Sequence, residues 1–498
     1  MKYFFNSSIL NISAGALIIL AFAPWSWYPV AILALALVLP SWLKNPPKQA
    51  FKLGYLFGFS YSLGSSYWIY YSLHDYGQAP VFLAALSAVL LAAILSLFFA
   101  LLATLMSYCR RYHELCIYLL IFPMLWIAME WGRSVLFVGF PWNLLGQALI
   151  DSPWRGIFPM FGILGGSALT VICAGSVVYF FKLKSRGKII LTSSLVMFLS
   201  ATAALQTLDW TRATTDSLKT SVIQANIPQK LKFDKPYFEK LMNRYLNLSA
   251  LQTNSDLILW PETAIPIYAD MFDKQLASMR RQFDEYNIVL MTGIFYRDKE
   301  QGKRYNSLMN INDNRFYHKR RLVPFGEYIP MRSLFEVFSK WIIIPMSDLN
   351  SANMQPTLDV SDYTAGVSIC YEVAFASDIA DSLPMADFLI NISNDSWFGD
   401  SSAPYQMLQM ARVRAAESER FMVRATNTGI SAIIDHQGRI IEYSELFEIG
   451  TISHDITMRT GLTPYAQWRN IPILILIVAS LLIAYFFNLH TKKTEKKL

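Results

Sequence analysis

The chain has 498 residues, of which 54% are hydrophobic and only 16% are charged, whereas a typical soluble domain carries about 25% charged residues. This composition excludes a wholly soluble protein. The formal net charge of +7 does not indicate nucleic-acid binding, because the basic residues lie in short loops between apolar runs and form no stripe with interleaved aromatic residues.

Apolar runs of spanning length dominate the N-terminal part and return near the C-terminus. A membrane-crossing helix needs roughly 20 mainly apolar residues. Any single run could be a buried core helix, but the set predicts a multi-span α-helical membrane domain with eight transmembrane helices. Only Lys2 precedes the first run and no clear cleavage site follows it, so we expect a retained anchor. The runs lie near 8–24, 27–43, 53–72, 80–107, 115–132, 157–181, 187–206 and 470–488.

Basic residues mark every second loop, which predicts the orientation in the membrane. Lys and Arg collect on the cytoplasmic side. The loops after the second, fourth and sixth apolar runs and the C-terminal tail are basic, whereas the loop at 73–79 has neither Lys nor Arg. We therefore expect both termini in the cytoplasm and the polar domain on the outer side of the membrane. The basic residues are Lys44, Lys48, Lys52, Arg110, Arg111, Lys182, Lys184, Arg186, Lys188, Lys492, Lys493, Lys496 and Lys497.

We divide the chain into a membrane domain at 1–206, a soluble domain at 207–465, and a last helix with its tail at 466–498. Strand-like and helix-like runs alternate in the soluble part, which predicts a layered α/β fold. The helix-like runs lie near 235–250, 271–286 and 404–420. The strand-like runs lie at 219–225, 256–260, 287–294, 305–312, 366–370, 386–392, 421–426 and 429–435.

A long irregular stretch at 328–365 contains the apolar run WIIIPM at 341–346. A loop of this length is usually functional or mobile. Two interpretations stay open, namely a strand or core segment and a lid that touches the membrane face.

Cys370 is the only cysteine of the soluble part. The other three, Cys109, Cys116 and Cys173, lie in or beside apolar runs and are expected to be inert core thiols. A single cysteine in an oxidising compartment has no disulfide partner, so it is either accidental or reactive.

Three short stretches carry the unusual charged and thiol residues, and each follows a strand-like run. LILWPETAIP holds Glu262, HKRRLVPFGEYIP holds Lys319 and Glu327, and GVSICYE holds Cys370 and Glu372. Ligands gather outside the carboxyl ends of strands in α/β sheets, so we expect the three stretches to meet. Taken one by one, a glutamate after Trp-Pro also caps helices and a basic run is usually a solvated face.

A glutamate, a lysine and a cysteine in one pocket form a nucleophilic site. A thiol is mostly protonated at neutral pH, a carboxylate can take its proton, and a lysine can hold an oxyanion. The backbone N–H of Tyr371 is the expected second donor. Serine–histidine chemistry is a poor alternative, because no G-x-S-x-G is present. Zinc ligand spacing is also missing, and no metal or cofactor is expected.

WPET, KRRLVPFGEYIP and GVSICYE resemble the three catalytic motifs of the nitrilase (carbon–nitrogen hydrolase) superfamily. Over nearly its full length, the chain resembles the apolipoprotein N-acyltransferase family of Gram-negative bacteria. Further matching stretches are QANIPQ at 224–229, YNSL at 305–308 and NISNDSWFGD at 391–400.

The resemblance implies an αββα sandwich whose triad has Glu262 as general base, Lys319 as electrostatic stabiliser and Cys370 as nucleophile. Four supporting site residues are also implied. One departure is visible, because Phe233 stands where the family often has a tryptophan, which bears on lid contacts and not on the chemistry. The supporting residues are Glu327, Tyr371, Glu372 and Asn306.

The implied reaction takes an acyl chain from a phospholipid, with phosphatidylethanolamine as the expected donor, and forms a Cys370 thioester. The acceptor is the α-amine of the diacylglyceryl cysteine of an apolipoprotein. The resemblance also implies a location in the bacterial inner membrane with the polar domain in the periplasm, and we expect a monomer in the lipid bilayer. Two alternatives remain. A membrane-anchored amidase or nitrilase would release its acyl group to water, and a transporter with a sensory domain would need functional charges inside its spans.

Glu130 and Arg133 are the exceptions to spans that are nearly free of charge, and they lie three residues apart at the end of the fifth apolar run. We expect a structural ion pair between them. The alternative is a contact with a lipid headgroup.

Overall fold

The computed structural model describes residues 2–136, 138–329, 348–353 and 356–495, with side chains described between 7 and 488. The predicted lid or core run at 341–346 lies outside the described residues. The chain forms two compact units. The first contains 1–67, 85–208 and 467–498, and the second contains 68–84 and 209–466.

The first unit is helical, and a helix occupies each of the eight predicted positions among the described residues. In the described part of the chain, five helices are long and apolar enough to cross a membrane, namely Val81–Arg111, Glu114–Val135, Arg155–Phe180, Ser185–Thr207 and Ile471–Asn488. Ser7–Ala21 and Tyr28–Lys44 are apolar but shorter. The helix at the third position, Pro47–Ser66, ends in SLGSS, which lowers its hydropathy. The helices are Lys2–Leu17, Tyr28–Lys44, Pro47–Ser66, Val81–Tyr108, Phe122–Val135, Phe158–Phe180, Ser185–Ala204 and Ile471–Glu495.

Small residues let the helices of this unit pack closely. A Cβ added to Gly54 would lie 2.5 Å from both the Cβ of Ala103 and the carbonyl oxygen of Phe99. The backbones of Pro47–Ser66 and Val81–Tyr108 therefore approach each other at a distance that only glycine allows. Small residues at helix contacts have this role in membrane proteins, where the hydrophobic effect does not drive helix association.

The predicted ion pair between Glu130 and Arg133 is wrong. Both side chains are buried, but within the described part of the chain their hydrogen bonds go to other residues and not to each other. Glu130 Oε1 accepts from the backbone N–H of Leu145 at 2.8 Å and from Trp126 Nε1 at 2.9 Å. Arg133 donates to the carbonyl oxygen of Trp142 at 3.0 Å. Backbone groups of a turn have no ladder partners, and these two side chains supply partners to the turn that follows their helix.

Two sheets build the second unit. Within the described residues, one sheet has the order β13-β1-β2-β4-β5-β6 with β3 beside β4, and the other has the order β12-β11-β10-β9-β8-β7. The strands are β1 Arg212–Gln224, β2 Leu257–Leu259, β3 Ile265–Tyr268, β4 Val289–Asp298, β5 Lys303–Asn310, β6 Arg315–His318, β7 Thr357–Val360, β8 Tyr363–Ile369, β9 Phe388–Ser393, β10 Met422–Thr426, β11 Ala432–Ile434, β12 Ile440–Tyr443 and β13 Gly450–Thr460.

Alternation along the strands separates two cores. Val222 and Leu308 point into the core between the sheets, whereas their neighbours Ile223 and Met309 point to the outer side of the first sheet. Successive side chains of a strand face opposite sides, so each strand serves both layers. The helices Phe238–Ala250 and Asp273–Asp284 contribute Leu241, Tyr245, Leu276 and Met279 to the outer core.

Helix Ala403–Ser418 is buried almost throughout and packs against β10 and β11 of the second sheet. The layers are therefore helices, sheet, sheet and helices, as the resemblance implied. All eight strand-like runs overlap observed strands and all three helix-like runs overlap observed helices. Five strands escaped the sequence analysis, namely β3, β6, β7, β12 and β13.

The segment 68–84, between two helices of the first unit, belongs to the second unit. Ser72 Oγ donates to the carbonyl oxygen of Trp397 at 2.8 Å. The ring of Trp68 stands edge-on to Phe398, with 4.9 Å between the ring centroids. This segment is thus attached to the NDSWFGD stretch by aromatic packing.

Candidate active site

Glu262 lies in a tight turn directly after β2. Thr263, the next residue, has a φ of 53°, which is an unusual conformation for a β-branched residue. The turn presses against Gly293 of β4, where an added Cβ would lie 2.4 Å from the backbone nitrogen of Thr263 and 2.7 Å from the Cα of Glu262. A glycine at 293 is therefore required to seat the glutamate.

The carboxylate of Glu262 is buried, with 4% of the residue exposed, and donors fix both of its oxygens. Oε1 accepts from Asn306 Nδ2 at 2.7 Å and from Lys319 Nζ at 3.3 Å. Oε2 accepts from the backbone N–H of Asn394 at 2.8 Å. A carboxylate with its orientation set in this way is prepared to act as a base.

Lys319 follows β6 and lies between two carboxylates. Its Nζ is 2.9 Å from Glu327 Oε1 and 3.3 Å from Glu262 Oε1. Burial alone would lower the pKa of Lys319, but the charges of Glu262, Glu327 and Cys370 outweigh it and hold that pKa well above its usual range. The lysine is therefore a permanent cation.

Asn306 and Glu327 hold this arrangement in place. The Asn306 side chain is fully buried on β5, and its Nδ2 also reaches Glu327 Oε1 at 3.2 Å. Glu327 Oε2 accepts from the backbone N–H of Val323 at 2.8 Å, which ties the glutamate to its own loop. One amide thus links both carboxylates that flank Lys319.

Cys370 sits where β8 ends and a short 3-10 turn, Cys370–Ala374, begins. Its φ of 55° is a strained backbone conformation for a non-glycine residue, which is typical of functional sites. Burial, then the charge of Glu262, raise the pKa of the Cys370 thiol to about 12, although the Lys319 cation opposes them. The resting thiol therefore keeps its proton and needs a base to react.

Glu372 clamps the cysteine turn to the lysine loop. Its Oε1 accepts from the backbone N–H groups of Arg320 at 2.6 Å and Arg321 at 2.9 Å. Its Oε2 accepts from the N–H of Ile369 at 2.7 Å and from Tyr317 Oη at 2.9 Å. These contacts hold the cysteine turn and the lysine loop together. Tyr371 is half-buried and packs edge-on against Phe375, with 5.0 Å between the ring centroids.

The structure brings Glu262, Lys319, Glu327 and Asn306 into direct contact. It places Cys370 close enough that the charges of Glu262 and Lys319 act on its thiol. Within the described residues, no group of three or more His, Cys, Asp or Glu side chains is arranged to hold a metal ion.

Sequence reasoning missed two contributors to the site. The first is Lys232, which is 1% exposed and donates to the backbone oxygen of Glu262 at 3.0 Å. Burial lowers its pKa to about 7 although the charge of Glu262 opposes this. The sequence feature that could have indicated Lys232 is its position in LKFD, directly beside Phe233. The second is the Asn394 backbone N–H, which leaves no trace in a sequence.

Fold and site together define a class of protein. Residues 219–465 match the family model described as carbon-nitrogen hydrolase, and residues 14–176 match the one described as apolipoprotein N-acyltransferase N-terminal domain. The chain is thus a carbon-nitrogen hydrolase domain joined to a helical membrane part.

Relatives over nearly the full length narrow this class. The apolipoprotein N-acyltransferase of Coxiella burnetii is 35% identical, across 96% of this chain and 100% of the relative. The enzyme of that name from Pseudomonas aeruginosa is 37% identical, across 93% of each chain, and that of Methylococcus capsulatus is 34% identical, across 94% and 93%. The chain belongs to the apolipoprotein N-acyltransferase family, so the recognition made from the motifs is confirmed.

Proposed function

We propose that this protein transfers an acyl chain from a phospholipid, with phosphatidylethanolamine as the donor, to the N-terminal α-amine of the diacylglyceryl cysteine of apolipoproteins. The observation that supports this function best is the buried contact of Lys319 with Glu262 beside the protonated thiol of Cys370. The acyl-thioester and the assignment of Glu262, Lys319 and Cys370 as base, stabiliser and nucleophile are parts of the same proposal.

In the first half-reaction Glu262 takes the proton of the Cys370 thiol as the sulfur attacks the ester carbonyl. The Lys319 ammonium and the backbone N–H of Tyr371 stabilise the oxyanion that develops. When the tetrahedral intermediate collapses, the carbon–oxygen bond breaks and Glu262 returns the proton to the leaving alkoxide. A lysophospholipid departs, and the acyl chain remains on sulfur as a thioester.

In the second half-reaction the α-amine of the lipoprotein attacks the thioester carbonyl. Glu262 accepts the proton that the amine loses, and the same oxyanion donors act again. The carbon–sulfur bond breaks, the thiol regains the proton, and the amide product leaves. The burial of Glu262 and Cys370 favours the amine over water, because a site without bulk water suppresses hydrolysis of a reactive intermediate.

The proposal also includes the domain division at 1–206, 207–465 and 466–498 and the eight membrane spans. It further includes the periplasmic catalytic domain, the cytoplasmic termini and the monomeric state. The alternating basic loops support this orientation. Glu327, Tyr371, Glu372 and Asn306 are proposed as supporting residues of the site.

The test is a reconstituted transfer assay. Purified protein in vesicles of phosphatidylethanolamine receives a synthetic diacylated lipopeptide with a free α-amine, and mass spectrometry follows both lipids. We expect triacylated lipopeptide and lysophospholipid in equal amounts. The Cys370→Ala variant should form neither.

Two outcomes would favour the alternatives. Free fatty acid in place of triacylated peptide would indicate a hydrolase of the amidase or nitrilase type. Full transfer by folded Cys370→Ala protein would exclude Cys370 as the nucleophile. Formation of none of these products by the folded parent protein would reopen the interpretation as a transporter with a sensory domain.

A further inference from the structure

Ser393 lies beside the cysteine at the adjoining strand end. Strands β8 and β9 run parallel, and their register pairs Ile369 with Ile392. Cys370, which follows Ile369, and Ser393, the last residue of β9, therefore lie next to each other. Ser393 is fully buried, so water does not compete for its hydroxyl.

A buried ion pair holds the Ser393 hydroxyl. Ser393 Oγ donates to Asp395 Oδ1 at 2.5 Å, and Asp395 Oδ2 accepts from Arg424 Nη2 at 2.7 Å. The side chains of Asp395 and Arg424 are both completely buried. A buried ion pair is often no more stabilising than an apolar pair of the same volume, so its presence here is consistent with a role other than stability.

The same turn also holds the proposed general base. The backbone N–H of Asn394, between Ser393 and Asp395, donates to Glu262 Oε2 at 2.8 Å. Asn427 Nδ2 donates to Asn394 Oδ1 at 3.2 Å, which anchors the turn from β10's side. Residues 393–395 therefore begin beside the nucleophile and supply the base with a backbone donor.

We propose that Ser393 is a hydrogen-bond donor to the Cys370 sulfur during the reaction, with Asp395 and Arg424 holding its hydroxyl in place. The hydroxyl donates to Asp395 while the thiol is neutral and rotates its proton toward the sulfur when the sulfur carries negative charge. Ser393 keeps its proton throughout. This role of Ser393 rests on the proposed function, in which Cys370 is the nucleophile.

The electrostatics of the thiol are consistent with this role. Burial and the charges of Glu262 and Asp395 raise the pKa of Cys370, and the neighbouring Ser393 hydroxyl acts in the opposite direction. Donation to sulfur stabilises the attacking thiolate in the first half-reaction and the departing thiolate in the second. Both half-reactions should therefore slow when the hydroxyl is removed.

The test compares Ser393→Ala, Ser393→Thr and a matched control, Ser382→Ala. Ser382 is equally buried and donates to the backbone oxygen of Ile379 at 2.7 Å. The rate of Cys370 alkylation by iodoacetamide is measured against pH, together with single-turnover acylation by phosphatidylethanolamine. The background protein lacks the other three cysteines.

We expect Ser393→Ala to move the alkylation profile to higher pH and to slow acylation by about tenfold, because a hydrogen bond to a charged group is lost. Ser393→Thr retains a hydroxyl, so its alkylation profile and its acylation rate should both lie close to those of the parent protein. Ser382→Ala should superimpose on the parent protein. A profile for Ser393→Ala that superimposes on the parent would overturn the proposal.

A second variant keeps the test valid if Ser393→Ala does not fold. A Cβ at Gly429 would lie 2.3 Å from Asp395 Oδ2, so Gly429→Ala displaces the carboxylate without removing the hydroxyl. It should move the alkylation profile, and an unmoved profile contradicts the proposal. Failure of the proposed function is distinguishable, because Cys370→Ala would then still acylate the lipopeptide.

Discussion

Individual residues show which parts of the site a sequence can reveal. Glu262, Lys319 and Cys370 were found because each stands in a distinctive motif after a strand-like run. Lys232 and the Asn394 N–H were not found. The first looks like an ordinary surface lysine in QKLK, and the second is a backbone donor whose direction depends on the fold of the turn at 393–395.

The first prediction at this scale concerns Glu372. Glu372→Gln places an amide N–H₂ against N–H and O–H donors that now point at a carboxylate oxygen, so one or two buried donors lose their partner. We expect unfolding to become easier by about 2–3 kcal/mol and acyl transfer to slow. Thermal unfolding and the transfer assay check this. The pH profile of Cys370 alkylation should stay in place, and a shifted profile would show that Glu372 acts on the thiol itself.

The second prediction concerns the loss of stability at low pH that the buried His318 should cause. Burial lowers the pKa of His318 to about 4 although the charge of Asp298 opposes this, against 6.5 in an unfolded chain. Between these values the unfolded chain binds more protons, so stability is lost as pH falls from about 6.5 toward 4, by up to about 3 kcal/mol. The unfolding temperature in detergent, followed from pH 7 to 4.5, should fall more steeply for the parent than for His318→Gln. Parallel curves would contradict this.

At the scale of elements, most of the strands found from sequence contain an unbroken run of apolar residues. Those missed are short or carry many polar residues. β13 reads GTISHDITMRT and pairs with β1 at the edge of its sheet, and its apolar residues are separated by polar ones. The attachment of 68–84 to the second unit was also missed, because aromatic packing across more than 300 residues leaves no local pattern.

The glycine at 293 provides the prediction at this scale. Gly293→Ala forces a Cβ against the backbone of the turn that carries Glu262. We expect acyl transfer to fall at least tenfold, because the base is displaced from the thiol and small misplacements cost rate steeply. Gly302→Ala is the matched control, because nothing lies within 4 Å of an added Cβ there. Its φ of 67° costs some stability, but transfer should persist. Equal rates in the two variants would contradict the account of the turn.

At the scale of the whole molecule, composition alone indicated a membrane protein, and five helices have the length and hydropathy to cross a membrane. The proposed orientation depends on the basic loops. In a variant without native cysteines, Glu300→Cys should react with a membrane-impermeant maleimide in intact spheroplasts. Lys184→Cys should react only after permeabilisation, and the opposite pattern would reverse the topology.

The central claim is that an acyl chain passes through the sulfur of Cys370. Intact mass spectrometry of the purified protein after incubation with phosphatidylethanolamine tests it directly. The account predicts a mass gain of one acyl chain that is absent in Cys370→Ala, persists in water and disappears when a diacylated lipopeptide is added. Folded protein that transfers acyl chains but carries no such adduct in rapidly quenched single-turnover samples, or an adduct that survives in Cys370→Ala, would contradict it.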